Sequence, residues 1–311
     1  MRDERPSRPL IARRGWVSRV GGMRFSVWPS YERSWDEVLA LATWAESSGF
    51  HGCWYADHFM PQTDDDSVGR GPAYECWTMI AALGAVVPRL TFTSMVSPVT
   101  IHHPVVLTKR AATVDHVTGG RAVLGIGAGW QVNEHVAYGF ELPEPGERVT
   151  RFERAIEQIH GLLHDESVPF DPRPTGMELL VGTGSPRMMR ITARWADVWN
   201  TWGNPTERAK RTEVFRRACE QVGRDPDTVR RSSQALFFLT DDDRTRDKLR
   251  ERAPQDRSLI GGPAELIELV GTYVEAGVDE LAIPDFTLGA TPEQRLATYQ
   301  RLHAEVLSAF G

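Results

Sequence analysis

Short apolar runs alternate along the chain with longer segments in which apolar residues recur every three or four positions. The short runs are typical of buried parallel strands, and the longer segments of the amphipathic helices that cover them. Eight strands are predicted, at 23–28, 53–57, 90–96, 122–127, 178–182, 198–201, 233–239 and 281–284. Eight strand–helix units within residues 23–311 predict an α/β fold, the (β/α)8 barrel.

Short sequence motifs predict where several helices begin and end. Three Ser/Thr-x-x-Glu/Gln sequences predict capping boxes, at 34–37, 150–153 and 291–294. Pro104 suits the first turn of a helix, where its missing amide does no harm. Gly49 suits the left-handed residue that follows a helix. The rival architecture, a doubly wound sheet, would place a G-x-G-x-x-G fingerprint after its first strand, and that segment has no glycine.

Composition narrows the function classes. The chain has 311 residues, is 41% hydrophobic and 25% charged, and carries a net charge of -6. The negative charge argues against general nucleic-acid binding, and no apolar run is long enough to predict a membrane span. Three widely spaced cysteines indicate reduced thiols and a cytoplasmic protein. No Cys/His spacing predicts a metal site, and the adjacent pair His102-His103 is a poor candidate for one.

Residues 1–22 differ from the rest of the chain. They contain six arginines but only two acidic residues, and they lack the apolar core of a signal peptide. We expect a disordered basic extension, or translation that begins at Met23. Residues 23–311 are predicted to form one domain.

The carboxyl ends of the strands are where a barrel builds its active site. The fourth predicted strand ends in Gly125, Gly127 and Gly129, followed by Trp130. Glycine lets the backbone approach a ligand closely, and the tryptophan offers a flat surface to a planar cofactor. Glycines at strand ends also serve packing, so both interpretations remain open at this point.

Two further strand ends carry candidate chemistry. Gly182, Thr183, Gly184 and Ser185 lead into a helix whose free amides suit a phosphate, although an ordinary turn with Ser185 as N-cap has the same pattern. Asp57 and His58 are either an acid–base pair or a buried structural pair. Because neighbours on a strand point to opposite faces, they reach one spot only if the strand has already become a loop.

Two glutamates are weaker candidates, and the strand ends lack the residues of three other kinds of active site. Glu75 and Glu134 are possible proton-transfer groups, but glutamates at helix starts are common on protein surfaces. The strand ends lack the convergent carboxylates of a metal-dependent enolising site and a lysine for a Schiff base. They also lack the G-x-S-x-G sequence of hydrolases.

The chain resembles the luciferase-like monooxygenase superfamily, which includes the deazaflavin-dependent oxidoreductases. Five segments, which occur in the family's order, carry the resemblance: 49–58, 103–115, 119–139, 181–200 and 263–277. Each segment is unspecific alone, but together they are specific for the superfamily and span most of residues 23–285.

The resemblance implies a bacterial luciferase-like barrel that holds a flavin or deazaflavin in its mouth. The ring is expected on a bulge after the third strand, at Ser94-Met95 with Ser97 beside it, often with a non-prolyl cis peptide. His58 is expected at the reactive edge of the ring, Asp57 near the ring or its side chain, and Trp130 against it. Asn133 is expected on the polar edge of the ring or the ribityl chain. The 182–185 segment is expected to bind the phosphate.

The cofactor implied by segment 196–203 and by Trp28-Pro29-Ser30 is F420 rather than FMN. The activity would then be hydride transfer to or from a small organic substrate, with Glu75 or Glu134 as proton partner of His58. The alternatives are an FMNH2-dependent two-component monooxygenase and a non-catalytic ligand-binding barrel. The resemblance also implies a homodimer, and it marks the 164–177 segment as a shortened insertion that would otherwise contribute to a lid.

Overall fold

The computed structural model describes residues 22–310. The predicted disorder of residues 1–22 concerns positions that lie, except for Gly22, outside the described residues. The strands are β1 Arg24–Trp28, β2 Gly52–Tyr55, β3 Thr91–Ser94, β4 Ser97–Pro98, β5 Ala122–Gly127, β6 Glu178–Gly182, β7 Val198–Trp202, β8 Arg230–Gln234, β9 Leu236–Leu239, β10 Ser258–Gly261 and β11 Glu280–Pro284.

The helices fill the intervals between the strands. They are α1 Trp35–Ser47, α2 Cys76–Val86, α3 Pro104–Thr118, α4 Val132–Tyr138, α5 Pro145–His164, α6 Pro186–Trp195, α7 Pro205–Val222, α8 Asp243–Arg252, α9 Pro263–Glu275 and α10 Pro292–Glu305. Short 3-10 turns occupy Pro226–Thr228, Asp285–Thr287 and Leu307–Phe310.

The sheet closes on itself as the sequence predicts. Parallel pairing runs β3-β2-β1-β11-β8-β7-β6-β5, and β3 also pairs with β5 through Phe92 and Ala122. Eight parallel strands thus form a complete ring with the helices outside. The fold is a (β/α)8 barrel, and its principal core lies inside the ring and between the ring and the helices.

The third predicted strand is interrupted. β3 ends at Ser94, the peptide between Met95 and Val96 is cis, and β4 continues alongside β5 at Ser97. The resemblance placed the bulge at Ser94-Met95, one peptide earlier than the cis bond. The interruption turns the chain into the mouth of the barrel.

One predicted helix start is wrong. The helix assigned to begin near Thr150 begins at Pro145, with Glu144 as its N-cap, and continues to His164. Thr150 lies inside it, where its hydroxyl donates to the carbonyl of Gly146 at 3.0 Å. A threonine within a helix bonds to the preceding turn in this way, so its Thr-x-x-Glu spacing does not mark an end.

The other two capping boxes are confirmed in different degrees. Thr291 accepts from the amide of Gln294, whose side chain returns the bond to the cap backbone. Ser34 accepts from the amide of Glu37 at 3.3 Å, but the Glu37 carboxylate pairs with Arg295 instead. The first helix therefore has half of the predicted box.

The seventh predicted strand is two strands. β8 belongs to the barrel, whereas β9 leaves it and pairs in parallel with β10 in a separate two-stranded sheet. The crossover between them contains α8, which the sequence interpretation left out. A continuous apolar run looks the same whether one sheet or two receive it, so the pattern alone missed the change of sheet.

The 164–177 connection lies at the amino-terminal end of the barrel, since it joins the end of α5 to the start of β6. Arg173 donates to the carbonyls of Leu162, Asp165 and Val168, and Lys109 donates to the carbonyl of Asp171 at 2.5 Å. The expectation that its length affects a lid is therefore wrong for this chain, because the mouth is at the opposite end.

A buried polar network closes the same amino-terminal end. Glu280 accepts from the hydroxyl of Ser26 at 2.6 Å and from the indole of Trp54 at 2.8 Å, and Arg230 lies 3.5 Å away. Burial raises the pKa of the Glu280 carboxyl, but the charges of His51 and Arg230 and these hydrogen bonds lower it overall.

Candidate active site at the carboxyl end of the barrel

A cavity of about 310 Å³ opens at the carboxyl ends of β5 and β6. Its walls come from the strand interruption before β4, the segment after β5, the first turn of α5 and the start of α6. It is lined by His58, Val96, Pro98, Gly127, Ala128, Gly129, Trp130, Glu134, Pro145, Arg148, Val149, Gly182, Thr183, Ser185 and Met188. This is the end of the barrel at which the sequence places the active site.

Packing accounts for part of the glycine pattern. A Cβ added to Gly125 would lie 1.8 Å from the carbonyl oxygen of Ser94, and one added to Gly127 would lie 2.6 Å from Cγ2 of Val96. Gly129 has a φ of +89° and sits against Thr100. Gly127 and Gly129 also line the cavity, so they serve packing and an open wall together, whereas Gly125 serves packing alone.

His58 and Glu134 form a pair at the cavity. The Glu134 carboxylate, 1% exposed, accepts from Nδ1 of His58 at 2.9 Å and from the backbone amide of Phe59 at 2.8 Å. The imidazole lies between the rings of Tyr31 and Trp130, at centroid distances of 5.3 and 5.5 Å. Its Nε2 has no protein partner among residues 22–310, so it is the nitrogen available to a ligand.

Asp57 points away from His58, although β2 ends at Tyr55 and both residues lie in the loop that follows it. Its Oδ2 accepts from the Ser97 hydroxyl at 2.5 Å and lies 2.9 Å from Nε2 of His102. Ser97 in turn accepts from the indole of Trp77 at 2.9 Å. Asp57 is not one of the residues that line the cavity; its carboxylate fixes the segment that does.

Only part of the bulge reaches the cavity. Ser94 bonds to the backbone of Gly125 at 2.9 and 3.0 Å, and Met95 is buried. Of the predicted contacts Ser94, Met95 and Ser97, none lines the cavity, whereas the neighbours Val96 and Pro98 do. The predicted bulge is present, but the residues that line the cavity are Val96 and Pro98 instead of those predicted.

Asn133 lies beside the cavity but faces another segment. Its amide donates to the carbonyls of Pro61 and Ser67 at 2.9 and 3.1 Å, and its oxygen accepts from Gln131 and from the amide of Glu134. Asn133 therefore holds the long β2–α2 loop, and its contact with a cofactor, which the resemblance implies, stays a prediction.

Further side chains from the α4 region hold the same loop. Gln131 donates to the carbonyl of Met60 at 2.9 Å, and Tyr138 donates to the carbonyl of Phe59 at 3.2 Å. The Tyr31 hydroxyl donates to the Met60 carbonyl at 3.3 Å. Burial raises the pKa of Tyr31 to about 12, so this phenol remains a neutral donor at physiological pH. The loop and α4 thus form one side of the mouth.

The predicted phosphate segment meets the cavity at the start of α6. Gly182, Thr183 and Ser185 line it, and Ser185 is the N-cap but makes no side-chain cap bond. Pro186 occupies the first helical position, and the first helical bond runs from Met189 to Ser185. Within the described residues, the amides at positions 187 and 188 have no partner, as expected for a helix N-terminus.

Arg148 adds a cation that sequence reasoning missed. It lines the cavity from α5 and donates one hydrogen bond, to the carbonyl of Gly129 at 2.9 Å. Gly184 lies outside the lining, and a Cβ there would be 3.6 Å from the guanidinium carbon of Arg211. The signal that could have found Arg148 is Pro145, which starts α5 early enough to place Arg148 at the mouth.

Glu75 has a structural position. Its carboxylate accepts from the amide and hydroxyl of Thr78 at 2.7 and 2.5 Å, as the N-cap of α2, and lies 3.5 Å from Arg110. It does not line the cavity. Among residues 22–310, no cluster of His, Cys, Asp or Glu is arranged to hold a metal ion, and no helix is long and apolar enough to cross a membrane.

Comparison with known proteins places the chain in a family. The family model described as luciferase-like monooxygenase matches residues 22–254, more than half of the chain. The chain is 32% identical over 176 residues to the F420-dependent glucose-6-phosphate dehydrogenase of Nakamurella multipartita, covering 52% of this chain and 50% of the relative. It is 26% identical over 226 residues to the F420-dependent hydroxymycolic acid dehydrogenase of Mycobacterium tuberculosis, covering 67% and 60%. The chain thus spans about half the length of these curated relatives.

Solved structures share the fold at low identity. An F420-dependent secondary alcohol dehydrogenase superposes with a TM-score of 0.78 at 15% identity, covering 92% of this chain and 99% of the other. The F420-dependent tetrahydromethanopterin reductase of Methanopyrus kandleri gives 0.73 at 16% identity, covering 94% and 100%. At this identity the likeness establishes the barrel architecture.

Proposed function

This chain belongs to the luciferase-like monooxygenase family, and we propose that it is an F420-dependent oxidoreductase that transfers a hydride to or from a small organic substrate. The observation that carries the proposal is the His58–Glu134 pair, which faces one cavity together with the N-terminus of α6. The F420-dependent relatives named above support the choice of cofactor.

The cavity suits a planar cofactor that carries a phosphate. Trp130, Val96 and Pro98 offer apolar walls to a ring, and the start of α6 with Ser185 and Arg148 offers donors to an anion. Helix N-termini favour anions through their free amides and the helix dipole, and arginine strengthens such sites. When bound, F420 would supply or accept a hydride at this position.

His58 would handle the proton that accompanies the hydride. Because the Glu134 carboxylate accepts from Nδ1, Nδ1 carries a hydrogen and Nε2 is the exchangeable position. Oxidation of an alcohol releases a hydride from carbon and a proton from oxygen, and neutral Nε2 accepts that proton. Reduction of a carbonyl reverses both transfers, and the imidazolium donates the proton from Nε2 to the new alkoxide oxygen.

Three of the remaining candidates would act by positioning. Asp57 would hold the Ser97 segment, and Asn133 would hold the β2–α2 loop. Glu75 caps α2, so we do not assign it to proton transfer. We also propose a homodimer in the cytoplasm, which sedimentation and cell fractionation would test.

Equilibrium titration of the full chain with oxidised F420, FMN and FMNH2 tests the function. We expect F420 to bind at least about tenfold more tightly than either flavin mononucleotide. Arg148→Gln should weaken F420 binding by about tenfold or more, because it removes a charge-assisted contact. Arg187→Gln is the matched control, since Arg187 bonds to Glu153 and Thr150 and does not line the cavity.

Two other outcomes of this titration would contradict the proposal. Preference for FMN or FMNH2 would contradict the proposal and indicate a two-component monooxygenase. Binding of none of the three by the folded protein would contradict both enzyme functions and indicate a non-catalytic barrel.

A further inference from the structure

A second cavity, of about 540 Å³, opens at the amino-terminal end of the barrel. It lies where β1 and β2 begin, beside the carboxyl ends of α1 and α10, and it shares no lining residue with the candidate active site. Small-molecule sites typically enclose about 300–1,000 Å³ and combine apolar walls with a few polar groups. The size of this cavity is therefore that of a site for a small organic molecule.

The titratable side chains that line this second cavity are all basic. Among the described residues they are Arg24, His51, Arg89 and His303, and no aspartate or glutamate joins them. The chain as a whole has a net charge of -6, so a wall that carries basic groups alone differs from its average surface. Clefts lined by charge of one sign concentrate ligands of the opposite sign. The wall therefore favours an anion.

Two of these basic groups are available to a ligand. Within residues 22–310, the guanidinium of Arg24 makes no hydrogen bond or ion pair, and neither ring nitrogen of His51 has a hydrogen-bond partner. Burial lowers the pKa of His51, and the charges of Arg24 and Arg230 act in the same direction. Glu280 and Glu178 oppose this effect without reversing it. The ring is therefore neutral at pH 7 and keeps one N–H as a donor.

The nearby carboxylates are already paired with other groups. Glu46 lies 3.0 Å from the guanidinium of Arg89 and accepts from the backbone amide of the same residue at 2.6 Å. Glu280 is 5% exposed and lies 3.5 Å from Arg230. Neither carboxylate makes an ion pair with Arg24, which leaves this guanidinium to an anion that enters the cavity.

The end of α1 offers an anion little resistance. The carboxyl end of a helix carries a partial negative charge on its last carbonyls, which disfavours anions nearby. Here the carbonyls of Trp44, Ala45 and Glu46 accept from the backbone amides of residues 48–50. These capped carbonyls do not point as free acceptors into the cavity.

The rest of the wall is mainly apolar. Met23, Phe50 and Leu307 are buried, and Phe25 lies beside them on β1. The ring of His303 lies 5.7 Å from the ring of Phe50, so the basic and apolar parts of the wall adjoin. An organic anion satisfies both parts, whereas an inorganic ion would leave the apolar part without a partner.

We propose that this cavity is a second ligand site, which binds an organic carboxylate with an apolar body. The carboxylate lies at Arg24 and His51, and the apolar body lies along Phe25 and Phe50. Arginine suits this head group because its planar fork donates two parallel hydrogen bonds to the two oxygens. The site is at the opposite end of the barrel from His58, so the inference does not depend on the proposed function.

Calorimetric titration of the full chain with octanoate tests the inference. We expect octanoate to bind at least about tenfold more tightly than octylammonium or 1-octanol, which keep the apolar body and reverse or remove the charge. Arg24→Gln should weaken octanoate binding about tenfold or more, and His51→Gln about threefold or more. Arg252→Gln is the matched control, because Arg252 is exposed on α8 and does not line the cavity. Thermal unfolding of each variant checks that it is folded.

A further variant separates the two cavities. Arg148→Gln removes the cation of the candidate active site and should leave octanoate affinity within about twofold. Loss of octanoate binding in Arg148→Gln but not in Arg24→Gln would place the carboxylate in the other cavity and overturn the inference.

Four other results would also overturn it. They are no binding of octanoate by the folded chain, equal binding of octylammonium, equal weakening by Arg24→Gln and Arg252→Gln, and tighter binding of octyl phosphate than of octanoate. The last result would assign the site to phosphate esters instead of carboxylates.

Discussion

Replacement of Glu134 by glutamine tests the pairing at the centre of the site. Both carboxylate oxygens accept a hydrogen bond, one from Nδ1 of His58 and one from the amide of Phe59. A glutamine has one acceptor and one donor group, so in either orientation it satisfies only one of these contacts. If its NH2 faces Phe59, two donors oppose each other. If its NH2 faces His58, the ring must carry its hydrogen on Nε2, which can then no longer accept a proton.

The magnitude follows from the same contacts. A charge-assisted hydrogen bond contributes about 1.5–3 kcal/mol, and a general base contributes about 10²–10⁴-fold to a rate. We expect Glu134→Gln to lower kcat by about 10²-fold or more and to leave the dissociation constant for F420 within about twofold. Steady-state measurement of turnover, with a parallel F420 titration, gives both quantities.

Glu75→Gln is the matched control, because Glu75 caps α2 and does not line the cavity. It should lower the free energy of unfolding by about 1 kcal/mol and leave kcat unchanged. Equal loss of kcat in both variants, or a full rate in Glu134→Gln, would refute the reasoning about the His58–Glu134 pair.

Three further predictions concern stability and the mouth. Gly125→Ala should lower the free energy of unfolding by about 2–3 kcal/mol in urea titrations, because its Cβ would meet a backbone oxygen at 1.8 Å; Gly161→Ala, with no atom within 4 Å, should not destabilise. The lowered pKa of Glu280 contributes stability that is present above pH of about 4.5 and lost on acidification. Glu280→Gln should lower the free energy of unfolding by about 3 kcal/mol and flatten its dependence on pH. An unchanged slope of the free energy of unfolding against pH would contradict this assignment. Asn133→Ala should speed proteolysis within 59–67 and leave F420 affinity within about twofold; a large loss of affinity would favour direct contact with the cofactor.

The barrel could be predicted because each strand carries its apolar pattern within its own residues. Short apolar runs predict β5 and β6 with the bounds that the structure shows. Two kinds of element could not be predicted in this way: a very short helix, and two strands that share one apolar run. The seven residues of α4 span too few turns for a periodicity, and a continuous apolar run conceals the transfer of the chain from β8 to β9.

The site was predictable as a list of residues but not as a set of contacts. His58 and Glu134 were both candidates, yet their pairing joins positions 76 residues apart, and nothing local encodes it. The rule that strand neighbours face opposite ways does not explain why Asp57 and His58 separate, because β2 ends at Tyr55 and both residues lie in the loop that follows. Arg148 was missed because the start of α5 was misplaced beyond it.

The central claim is that the cavity between His58 and the start of α6 holds F420. A crystal structure of the full chain with bound F420 tests this most directly. We predict density for the ring against Trp130 and Val96, with the phosphate at the α6 N-terminus near Arg148. Density for F420 elsewhere on the barrel, or a cavity filled only when FMN is supplied, would contradict the account.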